Sequence, residues 1–326
     1  MLRTLSITAL AAVASAAPCD IYAAFGTPCA AAHSVTRAMF DAYPGPLYTV
    51  KRASDNTTKA VFVVTAGGVA DAASQDAFCA GTFCEVFSIF DQTWRRNDLA
   101  LAPPGGYVRT GDHGVNASRA PTTLGGAKVY AAYFEGAMGY RIDWTRDVAL
   151  GNAEATYYMV TSGTHVNGGC CFDYGNAESN NFDDGAGTME AVYFGTATAW
   201  GRGSGNGPWV MADLENGLWA GADKVNNANT PLTTPFVTAM VKGGANGFAL
   251  KGGDSTQGKL TTMWDGPRPN GYQPMRKQGS IILGIGGDNS DSAIGTFHEG
   301  CITIGYSTDA ADDAVQANIV AARYGA

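Results

Sequence analysis

From about residue 85 onward the chain reads as short apolar runs separated by glycine-bearing turns. Segments 85–90, 155–161, 189–194, 210–215, 236–242, 280–285 and 296–306 predict strands. Two segments carry helical spacing instead. Ala32, Val35, Met39 and Tyr43 predict a helix over 27–43, ended by Pro44-Gly45-Pro46, and Ala311, Val315, Ile319 and Ala322 predict a C-terminal helix over 309–324. No fixed-period repeat and no Pro/Ser linker interrupts the pattern, which predicts an all-β fold, a β-sandwich with a few short helices.

One strand-like run stands out within this pattern. In Trp209-Val210-Met211-Ala212-Asp213-Leu214-Glu215-Asn216, alternation puts Asp213 and Glu215 on one face with Trp209 and Met211. Two carboxylates on a largely apolar strand are costly to bury without a role, and side by side they perturb each other's proton affinity. A solvent-facing strand edge, or a pair satisfied by backbone amides, would look the same in sequence.

Composition narrows the classes. The 43 glycines and only 15% charged residues suit a loop-rich β protein. A net charge of -8 leaves no basic footprint for nucleic acid or an anionic membrane. Arg3, the apolar run from Leu5 to Val13 and Ala14-Ser15-Ala16 predict a secretory leader over 1–17 and one mature domain over 18–326. No later apolar run is long enough to span a bilayer. Seven cysteines agree with an oxidising compartment, although sequence leaves their connectivity open. Cys-x-x-Cys pairs and paired histidines, which zinc would want, are missing. Asn56 and Asn116 open possible N-glycosylation triplets.

Three further stretches carry candidate chemistry. Gly286-Gly287-Asp288-Asn289 follows the apolar run Ile281-Ile282-Leu283-Gly284-Ile285, so a core strand delivers an acid onto a bend where backbone can approach a ligand. An ordinary hairpin turn is the plain alternative, and a calcium loop lacks the EF-hand spacing. Cys170-Cys171, if joined, would form a compact apolar knob for a sugar ring, with Asn167, Asp173, Tyr174 and Asn176 offering polar groups to its hydroxyls. Trp200 heads a glycine-rich loop, and its ring offers a platform or a core anchor. The run from Gly253 to Lys259 ends in Leu260, where a phosphate loop needs Ser or Thr, and no Gly-x-Ser-x-Gly elbow occurs.

Taken together, Cys170-Cys171-Phe172-Asp173-Tyr174-Gly175-Asn176-Ala177-Glu178, Asp213-Leu214-Glu215-Asn216 and Leu283-Gly284-Ile285-Gly286-Gly287-Asp288-Asn289 resemble the catalytic domain of fungal-type α-L-arabinofuranosidases, glycoside hydrolase family 54. The likeness runs from Cys19-Asp20-Ile21-Tyr22 to Gln316-Ala317-Asn318-Ile319-Val320. It implies a concanavalin-like β-sandwich (jelly roll) and exo-acting release of terminal arabinofuranose from arabinoxylan or arabinan, with retention. Glu215 then matches the nucleophile and Asp288 the acid/base. Trp200, Cys170, Cys171, Asp213, Asn216 and Gly287 match groups lining the sugar subsite. The implied disulfides are Cys19–Cys29, Cys79–Cys84 and Cys170–Cys171, with Cys301 a buried free thiol.

The leader makes secretion the expectation, and the enzyme reading calls for neither metal nor organic cofactor, with a monomer expected. Gly217 stands where members often carry a second asparagine, and the arabinose-binding module of many members has no counterpart in these 326 residues. Alternatives are added β-xylosidase or galactofuranosidase activity, or a non-catalytic lectin-like protein.

Overall fold

The computed structural model describes residues 16–326; the expected leader lies outside them apart from Ala16 and Ala17. Two antiparallel sheets form the molecule. One runs, in spatial order, β16 (Thr261–Gly266), β15 (Phe248–Asp254), β14 (Val237–Gly243), β9 (Ala155–Thr161), β18 (Gly295–Thr303), β7 (Ala127–Phe134) and β6 (Ala120–Leu124); β1 (Cys29–Ser34) also pairs with β18. The other runs β13 (Leu218–Trp219), β12 (Trp209–Asp213), β11 (Glu190–Gly195), β10 (Asp173–Ala177), β17 (Ser280–Leu283), β8 (Tyr140–Ile142), β5 (Leu99–Leu101), β4 (Cys84–Ile89), β2 (Pro46–Arg52) and β3 (Thr58–Phe62). The expected sandwich is therefore present.

Period-two alternation decides which face of the second sheet meets the first. Tyr174, Val192, Phe194, Val210, Ala212, Ile281 and Leu283 enter the core between the sheets, on the side of Tyr157, Met159, Ala239 and Val241. The intervening residues Asp173, Tyr193, Met211 and Asp213 turn to the other face. Register places Tyr193 opposite both Asp173 and Met211, so a patch of carboxyl, phenol and thioether is built across three strands.

Among the described residues three helices decorate the sandwich: α1 (Pro18–Ala24), α2 (Ala72–Phe78) and α3 (Asp309–Ala322). The last matches the C-terminal expectation; Thr308 accepts the Ala311 N–H at its start and Arg323 ends it in a left-handed conformation. The helix expected over 27–43 is not formed. Its backbone groups find distant partners: β1 pairs with β18, the Val35 N–H donates to His298 O and the Ala38 N–H to Gly68 O. Ala30, Ala31 and Ala32 are all fully buried, so long-range pairing outweighs the helical spacing.

Disulfides join Cys19 to Cys29, Cys79 to Cys84 and Cys170 to Cys171, and Cys301 is free and buried. Asn56 lies on an exposed turn, whereas Asn116 is half-buried. Among the described residues no helix is long and apolar enough to cross a membrane.

Candidate active site

From the patch on the outer face of β10–β12, Asp213 reaches the floor of a cavity of about 310 Å³. Its walls include the Cys170-Cys171 turn before β10, the bend after β12, and the Gly286-Gly287-Asp288 bend after β17. All eight expected site residues line this one cavity, namely Cys170, Cys171, Trp200, Asp213, Glu215, Asn216, Gly287 and Asp288.

Asp213 and Glu215 meet by a different route from the expected one. The strand stops at Asp213; Leu214 drops into the core, and Glu215 and Asn216 take φ of 62° and 56°. Asp213 Oδ1 accepts the Glu215 N–H at 3.1 Å, and the Leu214 N–H donates to Gly217 O at 3.2 Å. A local side-chain-to-backbone bond thus replaces the sheet ladder at this point and turns Glu215 back toward Asp213. Asp288 sits half-buried on the facing bend, where its Oδ1 accepts the Ser290 N–H at 3.0 Å.

The sulfur of Cys171 lies 3.4 Å from Asp213 Oδ2, on a small apolar cluster with Tyr193, Trp209 and Met211. Trp200, about one-third exposed, stands at the rim. The polar groups expected to surround the cysteine knob do not reach the cavity. Tyr174 points into the core and its hydroxyl meets His33 Nδ1, while the buried Asn176 amide donates to Ala149 O. Asn167 holds the loop by accepting the Gly169 N–H. Asp173 lies sealed beneath Asp213.

Sequence reading missed several residues that build the site. Tyr107, Asp183, Ser290 and Ser292 also line the cavity, and Asp183 accepts from the Asn216 amide at 3.0 Å. Arg141, buried on β8, donates to Gly287 O at 2.7 Å and to Glu178 O, and pairs with Asp143 at 2.5 Å. It ties together the two segments that flank Glu215. At Gly287 a Cβ would collide with Glu178 Oε2, so a larger residue there would push that carboxyl aside. At Gly217 a Cβ would strike the Trp219 indole and reach 2.9 Å from the Tyr272 hydroxyl, so these two rings fill the space an asparagine would need.

Electrostatics follow from crowding. Burial raises Asp213 to about 7, although hydrogen bonds from Asp173 and the Glu215 N–H oppose the shift. Asp173 is raised well above the usual carboxyl range, first by burial and then by Asp213, Glu215 and Asp288. Glu178 and Glu215 are both raised, first by burial, and like charge from Glu178 and Asp213 adds to the rise at Glu215. Carboxyls packed this closely cannot all be ionised, so protons are shared between neighbours. The geometric cluster Cys170, Cys171 and Asp213 offers no thiolate to a metal, because both sulfurs are in the disulfide.

The structure is thus an antiparallel β-sandwich protein with a single-ligand-sized pocket of carboxyls, amide and indole on the outer face of one sheet. The family model described as Alpha-L-arabinofuranosidase B, catalytic, matches residues 18–325, and the chain belongs to this family. It is 53% identical over 327 residues to the probable alpha-L-arabinofuranosidase B of Aspergillus clavatus, covering 98% of this chain and 65% of that protein. It is 54% identical over 323 residues to an alpha-L-arabinofuranosidase of Hypocrea jecorina, covering 97% and 64%. A crystal structure of an arabinofuranosidase complexed with arabinofuranosyl-alpha-1,2-xylobiose is similar with a TM-score of 0.94 at 48% identity, covering 95% of this chain and 66% of that one. The chain thus spans about two thirds of the length of these relatives.

Proposed function

We propose that this domain is a retaining, exo-acting α-L-arabinofuranosidase that removes terminal arabinofuranose from arabinoxylan or arabinan side chains. The observation that carries the reading is the convergence of Glu215 and Asp288, from bends after different strands, on one cavity. Its volume of about 310 Å³ suits a single sugar residue rather than a polymer. The structural relative bound to arabinofuranosyl-alpha-1,2-xylobiose supports a sugar-on-xylan substrate.

In this mechanism a Glu215 carboxylate oxygen attacks the anomeric carbon while the Asp288 carboxyl protonates the departing oxygen. The bond to the leaving group breaks, and a glycosyl ester of Glu215 forms. Asp288, now ionised, takes a proton from water, whose oxygen attacks the same carbon and returns Glu215 to carboxylate. Asp213 and Asn216 accept from and donate to ring hydroxyls, and the Cys170–Cys171 knob and Trp200 supply apolar surface to the sugar. The three disulfides support an extracellular site of action, with Asn56 the more accessible glycosylation position.

The roles are separated by Asp288→Ala assayed on an arabinoside with a good leaving group, with and without azide. Azide needs no general base, so it restores turnover in Asp288→Ala and yields the glycosyl azide with retained configuration. Rescue by azide with inverted configuration would move the nucleophile to Asp288 and the acid to Glu215.

A further inference from the structure

Glu178 takes no part in the reaction above, yet it is fully buried directly behind the nucleophile. Its Oε1 accepts from the Thr188 hydroxyl, and its Oε2 has no partner among the donors around it. Facing Oε2 across Gly287 is Glu215: a Cβ on Gly287 would collide with Glu178 Oε2 and lie 3.0 Å from Glu215 Oε2. The nearby Arg141 guanidinium does not neutralise the pair by direct contact, since its donors go to Gly287 O, Glu178 O and Asp143. A buried carboxyl oxygen with no donor, set against a second carboxyl, is stable only when a proton lies between them.

We propose that Glu178 is a positioning residue: it carries its proton on Oε2 and donates it to Glu215 Oε2, turning the other Glu215 oxygen toward the sugar. The proposal rests on Glu215 acting as nucleophile. Besides burial, the like charge of an ionised Glu178 raises Glu215; with the proton held on Glu178 that charge is gone, and Glu215 serves as the anion. During attack, electrons flow from the free Glu215 oxygen to the anomeric carbon, and the glycosidic pair leaves with the proton of Asp288. The Glu178 proton stays in place, bonded to the carbonyl oxygen of the new ester. It is in position again when water, deprotonated by Asp288, displaces Glu215 as carboxylate. Glu178 ends the cycle as it began.

Other titrating groups bear on the pair. Asp213 and Asp183 press on Glu215 with like charge, and Arg141 favours ionisation of Glu178. Asp173 and Asp288 act through Asp213, and the Tyr272 phenol faces the same acids. None of them donates to Glu178 Oε2.

The test compares Glu178→Gln and Glu178→Ala across a pH series of kcat/KM on 4-nitrophenyl α-L-arabinofuranoside. Glutamine keeps an acceptor for Thr188 and a donor for Glu215, so Glu178→Gln is expected within about 5-fold of wild type at its optimum. Alanine removes the donor, so Glu178→Ala is expected to lose about 10²-fold, the scale of a misplaced reacting group. Its acid limb should also move up by about one pH unit, because Glu215 then binds its proton more tightly. An acid limb that moves down in Glu178→Ala would show that Glu178 is an anion in the working enzyme and would overturn the proposal. So would a Gln variant as impaired as Ala, and so would a loss in Ala with no shift of the limb.

Wild-type inactivity on this arabinoside would sink the proposed function instead. The shared proton has its own readout in that case: the infrared difference between wild type and Glu178→Gln should contain a protonated-carboxyl stretch, and its absence contradicts the proposal whatever the substrate.

Discussion

The Asp213 carboxylate accepts the backbone N–H of Glu215 at 3.1 Å, so the floor acid of the pocket holds the bend that presents its neighbour. Asp213→Asn retains an oxygen in that place and should keep the bend. We expect it to turn over at least about 10²-fold faster than Glu215→Gln, because it leaves the nucleophile in position. Asp213→Ala also loses the acceptor and should lower stability by about 1–2 kcal/mol. Parallel kinetics and thermal melts of the three variants check this.

Acids raised by burial make the domain's stability fall as pH rises. Asp213, at about 7, and Asp173, well above its ordinary value, bind protons more tightly folded than unfolded. Their contribution is complete below the unfolded carboxyl value, near about 4, and is lost as pH climbs through the folded values. Asp173→Asn removes one titrating group while still donating to Asp213. The melting temperature of that variant should fall less between pH 4.5 and pH 7.5 than that of wild type, by several degrees.

Arg141 fixes the site from behind. Arg141→Lys keeps a charge but cannot reach Gly287 O, Glu178 O and Asp143 with one forked group. Losing charge-assisted bonds of this kind costs about 1.5–3 kcal/mol each. We expect a lower melting temperature and a drop in kcat with little change in KM, since the sugar-facing groups remain.

The Cys170–Cys171 knob should matter for binding more than for folding. It lies at the edge of the sandwich on a small cluster of its own rather than in the inter-sheet core. Replacing both cysteines with alanine should raise KM for the arabinoside about 10-fold, the scale of one buried apolar contact, and leave the melting temperature nearly unchanged. The same assay on enzyme treated with a mild reductant provides a second check.

Much of this architecture was legible in the sequence. The central strands β9, β11, β12, β14, β17 and β18 announce themselves because each is an apolar run between turns. Segment 27–43 misled because alanines satisfy a helix and a buried strand equally, and only the pairing with β18 decides between them. The Asp213–Glu215 pairing was legible, but not its cause: alternation suggested one strand face, whereas a left-handed bend brings the acids together. Glu178 lay inside a recognisable motif, yet nothing in its spacing shows that it faces Glu215, since the approach depends on Gly287 from another loop. Arg141 carries no local signal at all; its role exists only once β8 is placed beside β17.

Glu215 is the residue on which the account turns. The most direct measurement is release of nitrophenol from 4-nitrophenyl α-L-arabinofuranoside by purified wild type and by Glu215→Gln of equal thermal stability. The account predicts turnover by wild type and its collapse, by about 10³-fold or more, in the variant. Binding of arabinosides with no turnover by either protein would contradict it and leave a lectin-like pocket in its place.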